Sequence, residues 1–302
     1  MREERVDMVK ILDSKDSGYI FSGPLVEEKT KKVKEGVILV DNHRTGVVIS
    51  DNPGSPWYQA TVYSHGSILR DLDGKLIQEV ALWEVTDPDG DLSFAIYWNP
   101  PSGKATLHFV VGTGKWEGIA GFGKVTGMVK VRADDHIMPK YEFDWKMSNK
   151  PHGQIASLQK GGEYTHHAKS LSFHGPHVSE LVRELSNGLN LEISTQAGVL
   201  LGEGPEESPR AYATCYDRGT TVRRGTDTLG DVMLLEDTDP DGDIAWLIHV
   251  WWYGKGDGSY QFIGGIGKWE GITGGGLTLG MLRERSDDHY MLRSEIHWRI
   301  DK

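Results

Sequence analysis

Proton transfer needs a group that can give and take a proton, and a neighbouring charge to orient it. His249, Asp231, Tyr97, Glu79 and His108 have the right residue types. His249 lies in the apolar run Leu247-Ile248-His249-Val250-Trp251, and Tyr97 holds the matching place in Ala95-Ile96-Tyr97-Trp98-Asn99. An imidazole removed from water loses affinity for its proton and stays a neutral base. Asp231 and Glu79 hold matching places one run earlier, so a carboxylate accompanies each ring, while His108 in the next run is matched by Gln261. The pairing depends on the pleat, because a slip of one residue would send ring and carboxylate to opposite faces. With the reference pKa of Tyr near ~10, His249 with Asp231 is the expected working pair and Tyr97 with Glu79 the weaker one. A histidine on so apolar a run also reads as an ordinary hydrogen-bonded core residue.

Rings surround these candidates. Tyr58, Trp83 and Trp98, then Tyr212, Tyr216, Trp246, Trp251 and Tyr260, are the expected lining for a small aromatic or polyenic molecule, although each alone also fits a plain core. The chain has no His-Glu-x-x-His, no Cys-x-x-Cys and no nucleophile elbow, and its histidines show no metal spacing. The expectation is therefore chemistry with no metal and no cofactor.

The elements that must position these residues occur twice. Glu84-Val85-Thr86-Asp87-Pro88-Asp89-Gly90-Asp91, Gly114-Lys115-Trp116-Glu117-Gly118-Ile119, Asp134-Asp135-His136 and Trp145 return in the same order. The second copy reads Glu236-Asp237-Thr238-Asp239-Pro240-Asp241-Gly242-Asp243, Gly267-Lys268-Trp269-Glu270-Gly271-Ile272, Asp287-Asp288-His289 and Trp298. Such self-similarity marks a duplicated unit. Short apolar runs punctuated by Gly, Pro and Asp predict antiparallel strands, and no long helical period interrupts them. Tyr141, Phe143 and Trp145 alternate with Lys140, Glu142, Asp144 and Lys146, as Ser294, Ile296 and Trp298 alternate with Arg293, Glu295, His297 and Arg299. The first set in each copy is expected inward. Asp-Pro-Asp-Gly predicts a type I turn closed by a left-handed glycine, with Ca²⁺ binding by the acidic cluster as the alternative. The expected division is a lead-in over 1–18, a first barrel over 19–147, a linker over 148–169 and a second barrel over 170–302. The charged stretch from Leu25 to Glu35 reads as a solvated strand or loop.

Composition narrows the partners. Lys and Arg number 33 against 44 Asp and Glu, a formal charge of −11 with no basic stripe, so nucleic acid is not an expected partner. Cys215 is the single cysteine, which points to a reducing compartment. Charged residues fill Met1 to Ser17 where a secretory signal would be apolar, and no run is long enough to span a membrane. A cytoplasmic protein with no membrane partner is expected.

The segments Phe109-Val110-Val111-Gly112-Thr113-Gly114-Lys115-Trp116-Glu117-Gly118-Ile119 and Phe262-Ile263-Gly264-Gly265-Ile266-Gly267-Lys268-Trp269-Glu270-Gly271-Ile272 resemble the allene oxide cyclase and dirigent barrels. That resemblance implies an all-β fold of two tandem antiparallel eight-stranded, lipocalin-like barrels, each opening onto an apolar cavity. It also implies homo-oligomers, and it implies cofactor-independent isomerases, cyclases or lyases acting on small hydrophobic, oxygenated molecules. A non-catalytic carrier of such a molecule is the alternative, and a tandem barrel that serves as a protein-binding scaffold is a third. Convergent acid–base groups favour the enzyme, deep apolar cavities the carrier and filled barrels the scaffold.

Overall fold

The computed structural model describes residues 13–301 apart from Pro24, Glu35, 132–136, 148–163, 176–177, Ser186, 204–207, 253–257 and 285–289, so both Asp-Asp-His segments lie outside the described residues. The first half forms β1 (Asp13–Ser22), β2 (Val26–Lys34), β3 (Val37–Ser50), β4 (Thr61–Asp71), β5 (Leu76–Thr86), β6 (Leu92–Asn99), β7 (Thr106–Gly112), β8 (Ile119–Val131) and β9 (Ile137–Met147). The second half repeats the order with β10 (His166–His174), β11 (Val178–Glu184), β12 (Asn190–Glu203), β13 (Thr214–Arg224), β14 (Asp227–Thr238), β15 (Ile244–Trp252), β16 (Ser259–Gly265), β17 (Ile272–Glu284) and β18 (Tyr290–Ile300).

Neighbouring strands pair antiparallel, and β1 closes each end of the sheet by pairing with both β9 and β3, as β10 does with β18 and β12. Each half is thus a closed antiparallel barrel of eight strands, with β2 or β11 added outside it. Two expected boundaries move. β1 takes residues from the stretch read as a lead-in, and β10 begins at His166 inside the stretch read as linker. In both, the residues taken in are polar or small, which gives little apolar signal. The charged stretch forms β2, and β3 runs through Asp41-Asn42-His43-Arg44, which breaks the apolar pattern without breaking the strand.

The repeated turns are latches. Asp87 accepts backbone bonds from Asp89 (2.8 Å) and Asp91 (3.0 Å), while its other oxygen accepts the Trp116 indole N–H at 2.7 Å. Gly90, at φ 88°, completes the turn where a side chain would be strained. Asp239 treats Asp241, Asp243 and Trp269 in the same way. The ammonium groups of Lys115 and Lys268 lie 2.8 Å from Asp87 and Asp239, so each acidic turn already holds a cation.

The barrels pack side by side through their outer faces. Leu82, Phe94 and Ile96 of β5 and β6 share one buried apolar cluster with Leu234, Trp246 and Ile248 of β14 and β15, while Trp83, Ala95, Leu235 and Leu247 point into their own barrels. Both faces of these strands are buried, which is why their sequence is continuously apolar. Full burial of each such side chain contributes about 1.5–3 kcal/mol, so the halves stabilise one another. Polar contacts across this seam are reciprocal. Arg183 of β11 pairs with Glu84 of β5, and Lys31 of β2 approaches Glu236 of β14 at 3.8 Å. Thr220 donates to Glu84 at 2.9 Å, and Ser67 to Glu236 at 3.4 Å. Each pair is the other's image under the duplication, as across the two-fold axis of a dimer.

Candidate functional site

Register decides what faces each barrel interior. Ala81, Tyr97 and Leu107 lie side by side in the first, and Met233, His249 and Tyr260 in the second, so Tyr97 and His249 occupy matching places. Glu79 and Asp231 lie two residues before Ala81 and Met233 and share their face.

The first barrel is filled with rings. Trp57, which has no exposed surface, reaches in from the β3–β4 loop and packs within 6 Å of Trp83, Phe109, Tyr141 and Phe143, measured between ring centroids. Tyr97 stacks on Trp83 at 5.2 Å. Burial pushes the Tyr97 hydroxyl up, and the field of Glu79 adds to this. Burial also raises Glu79, against the pull of Arg44 and Arg70.

The second barrel keeps the backbone and changes the filling. Arg210 replaces Trp57, Ser294 replaces Tyr141, Ser172 replaces Ile20, Cys215 replaces Val62, Asp217 replaces Ser64 and Asp237 replaces Val85. Arg210 is fully buried. Its Nε meets Asp237 Oδ2 at 2.9 Å, its Nη1 donates to Ser294 Oγ at 3.2 Å, and its guanidinium lies 4.9 Å from the Tyr260 ring centroid. His249 stacks on Tyr260 at 4.4 Å, with its Nε2 3.1 Å from Thr278 Oγ1. His174 Nδ1 lies 3.0 Å from Asp217 Oδ2, and the other oxygen of Asp217 accepts the Cys215 thiol.

Burial sets the protonation of this network. It lowers His249 to about 3, so its imidazole is neutral. Burial raises Asp237 to about 6 despite Arg210. Burial works the same way on Asp217, but His174 outweighs it and holds that carboxyl below its usual range. Burial also pushes up the Tyr260 hydroxyl and the Cys215 thiol.

Several expected residues are placed elsewhere. Asp231 does face inward, but it accepts a hydrogen bond from Thr221 at 2.7 Å, and the carboxylate whose field reaches His249 is Asp217. Tyr260 and Trp83 line barrel interiors as expected, and Trp251 is half-buried beside Asp231 at one barrel end. Trp98 and Trp246 point out of their barrels and meet across the seam, with ring centroids 6.1 Å apart. Tyr216 is also outward and stands next to Lys29, Tyr212 is 65% exposed, and Tyr58 belongs to the loop before β4. Strands buried on both faces give no sequence signal for which face is inner, which accounts for Trp98 and Trp246, while Tyr58 and Tyr212 lie in loops where no pleat assigns a face.

His108 also faces out, into a cavity of about 160 Å³ between the barrels whose walls include Ile96, Trp98, Ile248, Gln261 and Arg299. Burial lowers its pKa. The inward Arg210, Asp217, Asp237 and His174 were missed, although position-by-position comparison of the two copies would have exposed them. No family model and no curated protein matches the chain. Among the described residues, no helix is long and apolar enough to cross a membrane.

Proposed function

We propose that the chain is an isomerase, cyclase or lyase that moves a proton on a small, hydrophobic, oxygenated molecule, with the second barrel as its working site. The observation that carries this reading is the replacement of the ring filling around Trp57 by a buried network centred on the Arg210–Asp237 pair, on the same backbone. Burying charge costs several kcal/mol per ion before pairing, and the first barrel closes without that pair. Arg210 supplies fixed positive charge for an oxyanion, His249 a neutral base and Tyr260 a proton donor. Such acid–base help is worth about 10²–10⁴-fold. Asp231 and Trp251, paired at one end of that barrel, are the residues a substrate would pass first. The reaction is redox-neutral, so these side chains suffice to carry the proton. Incubation with small ketones, enones and epoxides in heavy water tests the reading. Deuterium enters the turned-over compound, and Arg210→Met abolishes this; a panel that stays unlabelled with every compound contradicts it. The resemblance to allene oxide cyclase and dirigent barrels supports the reaction class, although its Lys-Trp-Glu-Gly turns serve here as latches.

A carrier is the second reading, favoured by the cavity between the barrels, whose wall mixes Ile96, Val110 and Ile248 with His108, Gln261 and Arg299. Native mass spectrometry of the purified chain would then show a copurifying small molecule that Ile248→Trp excludes. We also infer a homo-oligomer in a reducing, cytoplasmic setting, from the single buried Cys215 and from matching exposed apolar patches. Phe21, Val47 and Ile49 form one patch, and Phe173, Val199 and Leu201 the other.

A further inference from the structure

Three potential metal donors converge inside the second barrel. His174 ends β10, while Cys215 and Asp217 stand two apart on β13 and so share its inner face. A ring nitrogen of His174, Cys215 Sγ and a carboxylate oxygen of Asp217 all lie within 4.8 Å of one another, and all three residues are buried. The matching residues of the first barrel, Ser22, Val62 and Ser64, offer neither thiol nor imidazole, so the closed fold does not require this set.

We propose that His174, Cys215 and Asp217 bind one divalent transition-metal ion of the zinc or cobalt class. Thiolate with imidazole selects borderline-soft cations over Mg²⁺ or Ca²⁺, which take oxygen ligands. The charges also balance. Metal binding releases the Cys215 thiol proton to solvent, and the resulting thiolate with the Asp217 carboxylate neutralises a divalent ion, whereas Asp237 is already neutralised by Arg210 at 2.9 Å. Zinc bonds of about 2.0–2.3 Å set donor–donor edges near 3.3–3.8 Å in a tetrahedron. The His174–Asp217 separation of 3.0 Å is close to that, so side-chain adjustment is enough. Three protein donors leave a fourth position, the pattern of sites that bind an exchangeable ligand. The site shares the barrel with the proposed proton-transfer groups but uses different side chains, so it stands or falls without any measurement of turnover.

The test is cobalt(II) chloride added to chelator-treated full chain under reducing conditions. One equivalent is expected to produce a thiolate-to-cobalt charge-transfer band in the near ultraviolet and strong visible bands of tetrahedral cobalt, both removed by zinc. Cys215→Ser should lose the charge-transfer band, and His174→Ser, which installs the first barrel's residue, should weaken cobalt binding at least tenfold. Circular dichroism checks that both variants remain folded. If either does not, Cys215→Val and Asp217→Ser, also first-barrel residues, replace them. Wild-type protein that gives no charge-transfer band, or a band that survives in folded Cys215 variants, overturns the proposal.

Discussion

Trp57 and Arg210 occupy the same point of the same turn, each with its backbone N–H bonded to the hydroxyl of a serine two residues earlier, at 3.0 Å from Ser55 and 3.3 Å from Ser208. One local structure thus delivers an indole into the first barrel and a guanidinium into the second. Duplication made the fold redundant, and the two fillings diverged around that exchange.

Removing half of the buried ion pair should cost more than removing all of it. Arg210→Met leaves Asp237 buried without its partner and is expected to lose about 3–5 kcal/mol in urea unfolding. Adding Asp237→Val, the first barrel's solution at Val85, should recover at least half of that loss. A double variant no more stable than the single one would contradict this.

The seam should respond to pH through Glu236. Burial raises its folded pKa to about 7 from 4.5, so the folded chain takes up a proton between those values. Stability from this group is therefore full below about 4.5 and lost as pH rises through 7. Glu236→Gln removes that dependence, so the variant should gain on wild type by roughly 3 kcal/mol between pH 4.5 and 8. His65 and His249, held near 3, act oppositely but identically in both proteins and cancel. A stability difference that is flat across this range would refute the assignment.

The latches predict equal damage in either half. Trp116→Phe and Trp269→Phe each delete an indole N–H that serves a buried aspartate, at an expected cost of roughly 1–3 kcal/mol in denaturant midpoint measurements. A loss in only one half would mean the turns have different roles.

Apolar exposure at Val47 and Val199, 45% and 49%, predicts self-association. Sedimentation of wild type should give an oligomer, and Val47→Lys with Val199→Lys should give the monomer. A wild-type monomer at micromolar concentration would remove the oligomer from the account.

Much of the fold was legible in the sequence. Tyr141, Phe143 and Trp145 alternate cleanly because the other face of β9 is wet, and they are inward and buried. The repeated Asp-Pro-Asp-Gly and Lys-Trp segments set equivalent turns because their side chains bond to each other. The site was less legible. On β6 and β15 both faces are buried, so Trp98 and Trp246 gave no sign that they face the neighbouring barrel. Arg210 comes from a loop without periodicity, and His174 lies far along the chain from Cys215 and Asp217, brought to them only when β10 closes the barrel against β12.

The most direct test is to measure solvent deuterium incorporation side by side in His249→Gln and Tyr97→Phe, using any compound the wild type labels. The second barrel is the working one if His249→Gln falls at least about tenfold, a barrier increase near 1.4 kcal/mol, while Tyr97→Phe stays at the wild-type rate. The reverse outcome, with Tyr97→Phe inactive and His249→Gln unimpaired, would contradict it and move the chemistry to the first barrel.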